Sequence, residues 1–175
     1  MQIKKGPYTI DIDFYEDWIN ILRNELIILG YQALQSEDAR NISIRYFNVK
    51  KRIISEVPRT IQISKEYSDG GYSDVIKTIQ QRAEKGDSLT PYLSTRMSDP
   101  DYNDSMLNDR GIHHLHLGEL VEGESFVERT GPLLFVRITE KDFYILNVLE
   151  HGQWSNQLLV KIVHDNWPNS IEGKP

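Results

Sequence analysis

Apolar and polar side chains alternate near the start of the chain. Tyr8, Ile10, Ile12 and Phe14 are interleaved with Thr9, Asp11 and Asp13, the period of a half-buried strand. The period then lengthens. Phe14, Trp18, Ile21, Leu22, Leu26 and Leu29 fall on one helical stripe over residues 15–29, and Gly30 supplies the stop. Ile42, Ile44 and Tyr46 predict a second strand, and residues 60–63 another, with Pro58 at its entrance. Ser68-Asp69-Gly70-Gly71 is a turn. After it Ser73 caps a helix to about Lys85, with Val75, Ile76, Ile79 and Ala83 facing inward and Gly86 closing it. Residues 89–93 add a helical turn around Pro91, and residues 94–110, rich in Ser, Asp and Asn, read as a long loop.

Beyond that loop the texture is β. Residues 112–117, 133–138 and 143–149 are three short strands, and Glu140-Lys141-Asp142 is short enough to make the last two a hairpin. Residues 157–163 are apolar and fit either a helix or a strand. Asn166-Trp167-Pro168 ends them, with Trp167 docking the tail on the body. The pattern predicts an α+β fold: a mainly antiparallel sheet, two or three helices and a C-terminal β-meander. The expected division is an N-terminal α+β lobe at 1–93, a loop at 94–110 and a histidine-rich meander at 111–175, the two lobes being separate or one continuous domain.

Composition narrows the function classes. A chain of 175 residues can hold one good core or two small lobes, and 39% hydrophobic with 26% charged residues is ordinary for a folded protein. No run of 18 apolar residues is present, so no membrane partner is expected. The first residues lack the apolar stretch of a signal peptide, so a cytoplasmic address is expected. The absence of cysteine excludes disulfide scaffolds, thiolate zinc sites, iron–sulfur clusters and a cysteine nucleophile. A net charge of −6 disfavours non-specific nucleic-acid binding. Residues 45–66 nevertheless carry Arg45, Lys50, Lys51, Arg52, Arg59 and Lys65 against Glu56 and Glu66. This strip reads either as a solvated strand-and-turn surface or as a guide for a phosphate backbone through Lys50, Lys51 and Arg52.

The candidate chemistry lies in the histidines. His113, His114, His116, His151 and His164 all follow residue 112. On a strand, His114 and His116 project from one face and His113 joins Leu115 and Leu117 on the other, where a packing role is expected. His151 follows a strand end, and Trp154 beside it joins the substrate-binding candidates. Three readings stay open. The histidines hold structure; or His114, His116 and His151 ligate a metal with a carboxylate such as Glu119; or they transfer protons without a metal. The H-x-H spacing lacks the later glycine-rich motif of cupins, so no metal or other cofactor is expected. For RNA cleavage through its own 2′-OH, histidine suits the base and acid roles and arginine the phosphorane charge. Arg129 and Arg137 lie between the two histidine sites, Arg137 on the strand face of Leu133 and Phe135.

Gly111-Ile112-His113-His114-Leu115-His116-Leu117, then Arg129-Thr130-Gly131-Pro132-Leu133-Leu134-Phe135-Val136-Arg137, then Phe143-Tyr144-Ile145-Leu146-Asn147-Val148-Leu149 leading into Glu150-His151-Gly152 resembles the β-meander of RelE/ParE-type toxins. The resemblance covers residues 111–154. It implies a metal-independent ribonuclease-like fold whose arginines and basic side chains act on mRNA, which by position are Arg129, Arg137 and His151. The chain departs from the family in its length, its acidity, its H-H-x-H run and its N-terminal lobe. The leading expectation is an RNA-directed, metal-independent, toxin-like nuclease. His114, His116 and His151 are its proton-transfer candidates, Arg129 and Arg137 its charge stabilisers, and RNA its partner. The alternatives are a non-catalytic protein-binding or immunity-type regulator with a protein partner, and a histidine-ligated metal-dependent hydrolase.

Overall fold

A computed structural model of the chain describes residues 2–6, 8–31, 38–150 and 157–170. The chain divides into two compact units, residues 1–50 with 98–102 and residues 51–97 with 103–175. In the first unit, β1 (Gln2–Lys5) and β2 (Tyr8–Asp11) form an antiparallel hairpin that pairs Gln2 with Asp11 and Lys5 with Tyr8. Helix α1 (Phe14–Ile28) follows. Asp13 caps it by accepting from the backbone N–H groups of Tyr15 and Glu16, which would otherwise lack partners. The face that α1 buries is Ile19, Leu22 and Leu26. This only partly matches the stripe expected from sequence: Leu22 and Leu26 are buried, whereas Phe14 and Ile21 are 76% and 56% exposed.

Residues 42–46 are helical, not a strand. Helix α2 spans Ala39–Arg52, and Asp38 accepts from the N–H of Asn41 at its start. Ile42 and Val49, both buried, stand two turns apart on one face. Three alternating residues fit a strand equally well in isolation; the acidic cap and the seven-residue apolar spacing decide for a helix. In the same unit Arg45 pairs with Asp101 at 2.6 Å.

The second unit is built on a four-stranded sheet ordered β3-β6-β5-β4, with β3 Thr60–Ile63, β4 Ile112–His116, β5 Pro132–Ile138 and β6 Asp142–Glu150. β4, β5 and β6 are antiparallel neighbours, and a register shift falls at Phe135/Val136. β3 runs parallel to β6, pairing Thr60 with Asp142 and Ile63 with Ile145. The sheet is therefore mixed rather than antiparallel throughout, and one of its edges comes from the N-terminal half of the chain. The parallel pair is possible because some eighty residues separate its strands, enough for the crossover that parallel pairing needs. The described residues also hold five helices, more than the two or three expected.

Both faces of this sheet are covered. On one, α3 (Ser73–Lys85) sets Ile76, Ile79 and Ala83 with Leu89, Tyr92 and Leu93 against Leu115, Leu134, Val136, Phe143 and Ile145. On the other, Met106 from α4 (Ser105–Arg110) and Leu159, Ile162 and Val163 from α5 (Gln157–Asn166) pack on Ile112, Leu133, Phe135, Tyr144 and Leu146. Residues 157–166 are helical because their apolar side chains recur at 159, 162 and 163. Within the expected loop 94–110, residues 95–98 form a 3-10 turn and α4 follows. Trp167 reaches the body of this unit, its ring 4.8 Å from that of Tyr144.

Candidate functional site

Strand alternation sends His114 and His116 to the α4/α5 face. Their ring centroids lie 6.3 Å apart. The two side chains are 6% and 7% exposed, so a polymeric substrate does not reach them while α4 stays in place. Nδ1 of His114 is 3.7 Å from Oδ2 of Asp104, the residue whose other oxygen caps α4 at the N–H of Leu107. The same carboxylate thus ends a helix and faces the histidine strand. His151 and Trp154 lie outside the described residues. Among the described residues, no group of three or more His, Asp or Glu side chains is placed to hold a metal ion.

The two arginines do not share a site. Arg137 is flanked across the sheet by Ile112 and Tyr144, and its Nη2 donates to the carbonyl of Ser170. It ties the C-terminal segment to the α5 face. Its Nε is buried with no hydrogen-bond partner among the described residues. Arg129 belongs to the other side of the sheet. Its Nη1 donates to the Leu93 carbonyl at 3.1 Å and its guanidinium lies 5.6 Å from the centroid of the Phe126 ring.

The basic strip separates into three environments. Lys50 lies 3.5 Å from the Glu25 carboxylate. Arg52 is 6% exposed and donates to the Arg96 carbonyl at 2.9 Å, which corrects the expectation that the whole strip is solvated. A long side chain at the end of a helix is drawn inward when backbone carbonyls can satisfy its donors. Lys51 instead lines a cleft of about 340 Å³ at the end of the sheet, within the second unit.

That cleft collects polar groups from four places in the sequence. Ile53, Ile54 and Ile138 give it apolar walls; Ser55, Thr139 and Glu140 supply oxygens; Lys51, Arg59 and His113 supply nitrogens. His113, expected to pack among leucines, is half-buried and faces this space. Arg59 is what shapes it. Its Nε donates to the Thr139 carbonyl at 2.8 Å, Nη1 to the carbonyls of Ser55 at 2.8 Å and Val57 at 3.1 Å, and Nη2 to the Ser55 hydroxyl at 2.7 Å. These bonds clamp the 55–57 segment to the β5–β6 turn. One N–H of the five remains.

The charged groups that line the cleft are two cations, Lys51 and Arg59, and one carboxylate, Glu140. Arg59 is 6% exposed, yet its partners are carbonyls and a hydroxyl rather than a carboxylate, and burial lowers its pKa. Buried guanidinium charges are usually paired. Burial also pulls the His113 imidazole down to about 4, with the nearby positive charge of Arg59 and His114 acting in the same sense and Asp104 opposing it. At neutral pH His113 is therefore an uncharged acceptor. Sequence reasoning had marked Lys51 but not Arg59 or His113. A cation at the entrance of β3, directly after Pro58, was visible. Nothing in the chain itself connects it to a histidine more than fifty residues later. No family model, no curated protein and no solved structure matches this chain.

Proposed function

We propose that this protein binds a phosphate-bearing ligand, the phosphodiester backbone of RNA foremost, in the cleft of Lys51, Arg59 and His113. One observation carries the reading: two cations and a neutral imidazole line a single cleft against one carboxylate, Glu140, and the buried Arg59 bonds to carbonyls and a hydroxyl rather than to that carboxylate. A phosphate would supply the missing counter-charge. It would accept from Lys51 and from the remaining N–H of Arg59, with the hydroxyls of Ser55 and Thr139 within the same walls. Its charge would also raise the pKa of His113.

Metal-independent cleavage is the sharper version of the same reading. His113 would take the 2′-OH proton while Lys51 and Arg59 offset the developing charge. The 2′-oxygen would bond to phosphorus as the 5′-oxygen leaves, and that oxygen would take its proton from Lys51 or Glu140, which line the same cleft.

The test is labelled single-stranded RNA titrated into the full chain across a salt series. Lys51→Glu should weaken binding and reduce the salt slope by about one. Lys50→Glu, whose side chain pairs with Glu25, should change it much less. His113→Ala is assayed for RNA cleavage beside the wild type. Wild type that binds no RNA at low salt, or Lys51→Glu that binds as wild type does, would overturn the proposal.

A further inference from the structure

The hydrogen-bonding capacity left in the cleft of Lys51, Arg59 and His113 divides into donors and acceptors. Arg59 spends four N–H groups on oxygens of Ser55, Val57 and Thr139. The Ser55 hydroxyl accepts one of those bonds and, among the described residues, keeps its own proton to give. The Thr139 hydroxyl is committed to the β5–β6 turn, where it accepts from the N–H of Asp142 at 3.0 Å and donates to the Asp142 carbonyl at 3.4 Å. What remains to donate is the Lys51 ammonium, one Arg59 N–H and the Ser55 hydroxyl. A phosphate, whose oxygens accept, would meet all of these. Two lining groups are left over, the Glu140 carboxylate and the acceptor nitrogen of His113. Neither side chain is held by a hydrogen bond among the described residues, and a phosphate alone offers Glu140 only repulsion.

Those acceptors call for a donor carried beside the phosphate. Within a nucleic-acid strand the phosphate, ester and ring oxygens of the backbone all accept, and the 2′-hydroxyl of ribose is the one backbone group that donates. An ammonium would also suit Glu140, but in a cleft of about 340 Å³ it would face Lys51 and Arg59 as well. A hydroxyl brings its proton without a charge. The walls point the same way. They are Ile53, Ile54 and Ile138, with no aromatic ring among the lining residues, so a base finds no stacking platform there and the sugar is what the cleft can distinguish. We infer that Glu140 and His113 read the 2′-hydroxyl, making the cleft selective for a ribose over a deoxyribose backbone. This rests on the phosphate reading of the same cleft. With Glu140 on the sugar, Lys51 is the group left to protonate the leaving oxygen in the cleavage version.

The experiment uses the full chain and three labelled oligouridine strands of equal length, with hydroxyl, hydrogen or fluorine at the 2′ position. Fluorine removes the proton to be donated and keeps an electronegative atom in its place. Anisotropy titration should show the hydroxyl strand binding about tenfold or more tightly than the other two, the scale of one hydrogen bond to a charged group. Glu140→Ala should bring the three affinities close together. Its thermal melt should match wild type, because Glu140 is exposed between β5 and β6. His113→Leu, which fills a similar space without an acceptor, should lower the same preference. Equal binding of the three strands by the wild type overturns the ribose selectivity and leaves the phosphate reading standing, whereas no binding of any strand overturns both. A fluorine strand that binds as tightly as the hydroxyl strand also overturns the inference. So does a Glu140→Ala or His113→Leu variant that keeps the wild-type preference, since the hydroxyl is then read elsewhere.

Discussion

Arg59 and His113 show how one position can be set by the structure around it. The guanidinium spends four of its N–H groups on backbone and hydroxyl oxygens, so it is both the clamp of the cleft wall and its buried charge. His113 is neutral there because desolvation outweighs the attraction of Asp104. This has a consequence for stability. An unfolded histidine takes up its proton near 6.5, whereas the folded one does so near 4. Between those values the unfolded chain holds the extra proton, so stability should fall as pH drops through that window and level off below it. The shift corresponds to roughly 3 kcal/mol at most. Urea unfolding at about pH 7 and about pH 5 should show a smaller difference for His113→Gln than for wild type. An unchanged difference would place the acid sensitivity in groups other than His113.

Among the elements, α3 was the most legible. Its buried Ile76, Ile79 and Ala83 and its closing Gly86 follow from period and turn chemistry, whereas Ser73, expected as the cap, is the first helical residue and Tyr72 holds the cap position with no side-chain bond. Gly86 also does something the sequence could not show. It has φ +77°, and a Cβ added there would lie 2.7 Å from the Pro58 nitrogen, because residues 57–59 cross the end of α3 and Arg59 N–H bonds to Ala83. Gly86→Ala should therefore cost more than a left-handed backbone alone, about 2 kcal/mol or more. A thermal melt would register it, and the 55–59 wall of the cleft should shift with it. A melt within the range of a neutral surface substitution would show that the crossing is loose. Elements whose local signals were thin read less well. Residues 42–46 alternate over too few positions to separate strand from helix, and α5 was apolar without a decisive period.

At the scale of the molecule, the sheet of the second unit is buried from both sides. Leu133 and Leu134 are adjacent in β5 and both 0% exposed, one under α5 and the other under α3. Leu133→Ala and Leu134→Ala should each destabilise by about 2–5 kcal/mol, measured by chemical denaturation. A near-neutral Leu133→Ala would mean that the α5 side contributes little to the core. The same two-sided burial encloses His114 and His116. The helices that cover the sheet move the accessible chemistry from the H-x-H pair to the neighbouring His113 at the sheet's end. No helix among the described residues is long and apolar enough to cross a membrane.

Taken alone, the chain determined what is local. Helix α3, the strands β3 to β6 in outline, the β5–β6 turn and the opposite facing of His113 and His114 all depend on residues a few positions apart, whose periodicity and turn propensities act before any tertiary contact forms. The tertiary structure decided what depends on distant partners. It set β3 parallel to β6, placed helices over both faces of the sheet, and brought Lys51, Arg59, His113 and Thr139 to one cleft. Such choices compare the burial of whole elements against each other, and no single segment carries that comparison. Which side of a strand meets solvent is a property of what packs on it. That is why an alternation that separates His113 from His114 cannot say which of the two a ligand will reach.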